Sequence, residues 1–220
     1  GLVLSHIGET AGAEFGLIVE VNAETDFVAK NDKFIAFADD VLEAAVKAGA
    51  TTAEEVLAAE HADGTVEDAI TNFTGIIGEK LGIGAVEYLE GDTVKAYMHK
   101  TSTDLPPQVA VLVATDAAGA EIAHDIAVHI AALAPQYLTE EDIPEEVVAS
   151  ERRIATELTI SEGKPERAVP KIVEGRLQGF FKQVTLMDQG YARDPKQTVR
   201  QIVDGAGAKV TGFKRVRVGQ

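Results

Sequence analysis

The chain has no cysteine, and that absence removes a disulfide framework, a thiolate zinc site and a cysteine nucleophile together. It has no apolar run approaching the roughly 18 residues of a membrane-spanning helix, and no basic-then-apolar secretory start. No stretch matches Gly-x-x-x-x-Gly-Lys-Ser/Thr, and the glycines of GIIGEKLGIG miss the Gly-x-Gly-x-x-Gly spacing, so the chain is not expected to bind a nucleotide phosphate itself. Basic residues are scarce where acidic ones crowd. Residues 1–100 hold 19 Asp and Glu against 6 Lys and Arg, whereas residues 101–220 hold 17 against 14. An acidic N-terminal half repels phosphate backbones, which disfavours a nucleic-acid partner there; otherwise such charge serves solubility.

Chemistry-bearing clusters are absent too. His124 and His129 lie roughly 140° apart around a helix and cannot share one metal as residues four apart can. His129 falls beside Ile122 and Ile126 and reads as a core histidine, while His99 ends a strand on the face of Tyr97 and reads as a solvated strand end. Acids are plentiful, yet no motif places a pair for general acid and base work. The expectation is therefore no enzyme active site, no metal, no cofactor and no small-molecule substrate.

What is present is an ordinary globular composition, 220 residues with 45% hydrophobic and 25% charged, enough to bury a sizeable core. The chain opens on Gly1 inside a strand-like run, which suggests that it begins partway through a longer gene product.

Residues 3–8 and 16–22 alternate or run apolar as strands joined by the small residues of ETAGAEF, and should pair antiparallel. The second of them, GLIVEVN, is almost continuously apolar and β-branched, as in a strand packed on both sides. A helix is predicted over 32–48, its buried face Phe34, Phe37, Ala38, Val41, Leu42 and Ala45, its stop Gly49. Thr52 with Glu55, and Thr65 with Asp68, are capping boxes for two more helices. Val66, Ala69, Ile70, Phe73 and Ile77 mark the buried face of the second. Residues 83–89 are a strand, and Gly91 with Asp92 turns the chain.

The pattern then repeats: strands over 93–99 and 108–115, a helix over 120–134 with the apolar line Ile122, Ile126, Ile130 and Leu133, a helix over 198–204 and a strand over 208–218. Element order thus gives an α+β chain of two similar subdomains, 1–91 and 92–220, with a helical hairpin of about 144–184 inserted in the second. In that hairpin a helix starts at Pro144, ends before GKP and returns from about Pro165, with Pro170 delaying the second start. Val147, Ile154 and Leu158 are expected to face Val169, Val173, Phe180 and Val184.

The stretch TDFVAKN, 25–31, joins the buried strand to the long helix. Thr25 and Asn31 are both N-cap candidates, so Phe27 and Val28 occupy a short turn before the helix proper. If the helix is continuous, Phe27 is in phase with Phe34 and belongs to the core, which physical chemistry alone favours. If Asn31 restarts it, Phe27 points outward beside Asp26. Gly75 and Gly78 weaken a helix and imply a close approach to the backbone, by a neighbouring helix or by a partner.

The run VNAETDFVAKNDKFIAFADDVLEAA resembles the recognition stretch of elongation factor Ts, the nucleotide-exchange factor for the translational GTPase elongation factor Tu. IIGEKLGI, YMH, IAVHIAA, KIVEGRLQGFFKQVTLMDQGY, DPKQTV and VTGFKRVRVG resemble the same family in the family's order. The resemblance implies two three-stranded antiparallel sheets with helices, a projecting helical hairpin, and a bacterial-type cytoplasmic location with an organellar source left open. It also implies an N-terminal helical module before Gly1 and, in some members, a further helix after the last strand.

Carried over by position, the resemblance makes Thr25, Asp26, Phe27 and Val28 the stretch that dislodges the magnesium beside the GTPase's nucleotide, with the ring intruding, and so reverses the core reading of Phe27. Ile77 and Gly78 become a second contact to the nucleotide-binding domain, and His99 a contact to another domain. Ala192 and Arg193 fall where the family touches that domain, although their residue types depart from the family's. A small-molecule enzyme on the same scaffold lacks any placed nucleophile, metal set or phosphate loop. A ribosome-associated or structural protein reusing the fold stays open, because fold does not fix function.

Overall fold

A computed structural model describes residues 1–220. Strands β1 (Leu2–Thr10) and β2 (Ala13–Asn22) form a hairpin whose turn residues Ala11 and Gly12 take φ 49° and 86°, both left-handed. That is the type I′ geometry whose twist matches the flanking strands. The chain continues through α1 (Asp26–Ala29), α2 (Asp32–Ala48), α3 (Ala53–Ala58), the two-residue strands β3 (Glu60–His61) and β4 (Gly64–Thr65), α4 (Val66–Ile77) and β5 (Gly82–Gly91). β5 pairs antiparallel with β2 and completes a first sheet of order β1-β2-β5.

The helix limits follow from their caps. Asn31 accepts from the Lys33 amide to start α2, and Gly49, at φ 65°, stops it. Thr52–Glu55 and Thr65–Asp68 form both halves of their capping boxes.

A second sheet of order β10-β7-β6 is built from β6 (Thr93–His99), β7 (Val109–Thr115) and, at the far end of the chain, β10 (Val210–Arg217), all antiparallel. After β7 a 3₁₀ turn, Ala117–Gly119, leads into α5 (Ala123–Leu133), so the helix expected from 120 starts one turn later. Ile126 and Ile130 of its apolar line are fully buried, but Leu133 is exposed at the helix end.

Both sheets belong to one compact unit, 1–132 with 206–220. β2 is buried on both faces, as its composition predicts. Leu17, Val19 and Val21 join Phe34, Phe37, Val41, Val56 and Val66 in the core under the helices, while Ile18 joins Val3, Val94, Leu112 and Val216 in a second core. Gly16 leaves room there for Leu112, whose methyl would stand 2.6 Å from a Cβ at that position and would have to shift. Glu20 is buried as well, and its carboxylate accepts from the Ala85 and Gly219 amides at 2.9 Å each, satisfying a charge that would otherwise be costly to bury.

The second compact unit is 133–205. It holds α6 (Glu145–Ser161), α7 (Val169–Val184), the short pair β8 (Gly190–Tyr191) and β9 (Asp194–Thr198), and α8 (Val199–Gly205). Pro170 lies in the first turn of α7, preceded by a 3₁₀ turn, so the delayed start is observed.

The hairpin's facing residues differ from expectation. Ala155, Val173 and Leu177 form the buried cluster, with Val169 and Phe181 against it, while Ile154 and Leu158 are each 48% exposed. Thr159 makes that face tolerable to bury: its hydroxyl donates to the Ala155 carbonyl at 2.6 Å, so the buried polar side chain is satisfied within its own helix.

Candidate functional site

Four backbone and side-chain hydrogen bonds shape the corner at 25–31. Thr25 caps α1 by accepting from the Val28 amide at 3.4 Å, and the amides of Ala29 and Lys30 donate to the carbonyls of Thr25 and Asp26. The turn then ends, because the Asn31 amide bonds back to the Val28 carbonyl and Asn31 begins α2 afresh. That break shifts the phase. Val28 and Ala29 point into the core, whereas Phe27 is 79% exposed, so the continuous-helix argument that made Phe27 a core residue fails at Asn31. Lys30 Nζ lies 5.4 Å from the ring centroid, a cation–π contact over an otherwise open ring. Asp26 sits in the first turn, where the helix dipole favours a negative charge.

A second segment meets this corner. α4 ends at Ile77, and Gly78, at φ 80°, turns the chain in a left-handed cap. The following Glu79 accepts from Thr25 twice, from its amide at 3.1 Å and its hydroxyl at 2.6 Å. Lys80 in turn donates its amide to Glu24 at 3.2 Å. Thr25–Val28 and Ile77–Gly78, 49 or more residues apart in sequence, are therefore parts of one surface element.

Neither helix glycine is approached from within the chain. A Cβ on Gly75 or Gly78 would meet nothing within 4 Å, so packing against a neighbouring helix is excluded, and Gly78 is explained by its positive φ. Gly75 has helical backbone and open space. Gly75→Ala is therefore expected to stabilise the chain by about 0.5–1 kcal/mol, read as a higher denaturant midpoint at unchanged slope.

Ile76 is 74% exposed and was not singled out from the sequence. Its signal was available: it lies at the flank of the Val66–Ala69–Ile70–Phe73–Ile77 stripe, so it is apolar without a core position. Glu79 had no such signal, because its partner is 54 residues away.

The remaining candidates lie elsewhere. His99 ends β6 with its Nδ1 3.1 Å from the Tyr97 hydroxyl, and Tyr97 also meets His124 edge to face at 5.7 Å. Tyr97, His99, Val128, Ala131 and Ala132 line a concavity of about 110 Å³. His129 is fully buried, as a core histidine should be. In the second unit Ala192 and Arg193 form the exposed turn between β8 and β9, each engaged by other groups of the chain. No helix is long and apolar enough to cross a membrane.

Residues 24–220 match the family model described as "Elongation factor TS". A protein named Elongation factor Ts from Micrococcus luteus is 55% identical over 207 residues, 93% of this chain and 74% of that one. The protein of that name from Beutenbergia cavernae is 54% identical over 221 residues, 100% of this chain and 79% of its own. The one from Bifidobacterium animalis is 46% identical over 220 residues, 100% of this chain and 77% of its own.

Proposed function

The chain belongs to the elongation factor Ts family, and we propose that it is a nucleotide-exchange factor that binds elongation factor Tu and promotes GDP release by disturbing the GTPase's magnesium and phosphate site. It performs no bond chemistry of its own. The observation that supports this reading is Phe27, a large apolar ring 79% exposed on a corner whose neighbours Val28 and Ala29 are buried. An exposed aromatic on a braced turn is suited to entering another protein's surface.

In this reading Thr25, Asp26 and Phe27 face the nucleotide-binding domain, with Val28 fixing the turn from beneath, and Ile77 and Gly78 make the second contact to it. His99, Ala192 and Arg193 touch another domain. The division into subdomains 1–91 and 92–220 belongs to the same reading, and it is supported by β5 ending at Gly91 and β6 starting at Thr93. In this reading the partner is a protein of a bacterial-type cytoplasm, an organellar source staying open, and the chain makes no direct contact with nucleic acid, membrane or a small-molecule substrate.

The mechanism is linkage: a factor that binds the empty GTPase more tightly than the GDP form must weaken GDP by the same factor that GDP weakens it. A thousandfold effect needs about 4 kcal/mol of coupling. Burying one phenylalanine contributes roughly 1.5–3 kcal/mol, so Ile76, Ile77 and the contacts to the other domain must share the rest.

The test is release of fluorescent GDP from elongation factor Tu in the presence of excess unlabelled GDP. Sub-stoichiometric chain should accelerate release with turnover. A release rate independent of added chain would overturn the assignment.

A further inference from the structure

We propose that Glu79 is the positioning residue for Phe27, and that it acts through Thr25. The inference rests on the exchange-factor reading for its consequence, but on the geometry of the isolated chain for its cause.

α1 has four residues, too few to hold a helical turn unaided, because nucleation fixes several dihedrals for one hydrogen bond. Something outside the turn must hold it. The core supplies part of this through Val28 and Ala29, but both point inward and leave the N-terminal end of the turn, where Phe27 is carried, to polar contacts. Those contacts converge on one carboxylate. Glu79 takes the Thr25 amide on one oxygen and the Thr25 hydroxyl on the other, and that hydroxyl accepts from the Val28 amide. The chain Glu79–Thr25–Val28 therefore brackets Phe27 on both sides. A carboxylate is the acceptor this arrangement needs, since both of its oxygens accept and neither donates.

The reciprocal bond from the Lys80 amide to Glu24 braces the same two segments a residue further along. Gly78 enables both. Its left-handed turn brings residues 79 and 80 back toward 24 and 25, a conformation other residues adopt only with strain. The two most exposed large apolar side chains, Phe27 and Ile76, stand on the two segments that this brace unites. A partner thus meets one preorganised element, and the ring does not have to be ordered during binding.

Two measurements test this. In the isolated chain, hydrogen exchange of the Val28 and Ala29 amides should rise about tenfold in Glu79→Ala, as for loss of a charge-assisted bond pair, while amides of α2 stay as in the parent. With elongation factor Tu, the same variant should lower the maximal GDP-release rate at saturating chain by about tenfold and shift half-saturation less. Glu79→Gln, which keeps one acceptor oxygen, should fall between the parent and Glu79→Ala in both measurements. Glu79→Ala combined with Thr25→Val should lose less than the product of the two single losses, because both variants remove the same hydroxyl–carboxylate bond. Fully multiplicative losses would show that Glu79 acts independently of Thr25 and overturn the positioning role. Unchanged amide exchange in Glu79→Ala would overturn it as well. If the parent chain itself fails to release GDP, the exchange-factor reading falls, while the amide measurement still decides whether Glu79 holds the turn.

Discussion

Phe27→Ala is expected to unfold at nearly the parent's temperature and yet to release GDP from elongation factor Tu some tenfold to a hundredfold more slowly at saturating chain. The stability half follows from exposure. With 79% of the residue in water and only the Lys30 ammonium over its face, truncation removes almost no packing, and surface changes of this kind stay within about 0.5 kcal/mol. The turn keeps its Thr25 cap, its Glu79 brace and its buried Val28, none of which involves the ring. The kinetic half follows from what an exposed ring can do when covered. If a partner buries it only in the nucleotide-free state, its roughly 1.5–3 kcal/mol appears in the coupling and not in uniform binding, so the maximal rate falls more than half-saturation shifts. Stopped-flow release of fluorescent GDP across a range of chain concentrations separates the two. A variant as fast as the parent at saturation would take Phe27 out of the mechanism.

Much of the architecture could be read in advance because its signals are local. The periodicity and caps of α2, the two capping boxes and the both-faces-apolar composition of β2 each depend on residues within one element, and each is found where expected. The repeat of strand, strand, helices and strand is also found, as two antiparallel sheets of three. The pairs β3–β4 and β8–β9 were not legible, since two-residue strands carry no period and the five residues of β9, DPKQT, hold no apolar alternation.

The fold departs from the sequence pattern where one residue resets it. Asn31 interrupts the phase that links Phe27 to Phe34, and Thr159, bonded to its own helix, lets α6 bury Ala155 in place of Ile154 and Leu158. The candidate site shows the same division. Its turn was visible in TDFV, but the bond from Glu79 joins residues 54 apart, and only the folded chain brings them together.

Phe34→Ala supplies the opposite result from the same residue type seven positions on, and the two variants together test the reading of the corner. Phe34 is completely buried, in the core formed by Leu17, Val19, Val41, Val56 and Val66. Removing its ring gives up the transfer free energy and leaves a cavity that the surrounding strand and helices only partly close. The expected cost is about 3–5 kcal/mol. For a protein of this size that corresponds to a fall in melting temperature of roughly 6–20 °C. No exposed partner contact is lost, so whatever exchange activity Phe34→Ala retains should follow its folded fraction. At low temperature, where nearly all of the chain is folded, its maximal GDP-release rate should approach the parent's, whereas Phe27→Ala should stay slow at every temperature. A continuous helix would place both rings on one buried face and make the two variants alike in stability. Equal and large losses of melting temperature would therefore reject the break at Asn31, and a Phe34→Ala chain as stable as the parent would reject the core assignment on which the orientation of the corner depends.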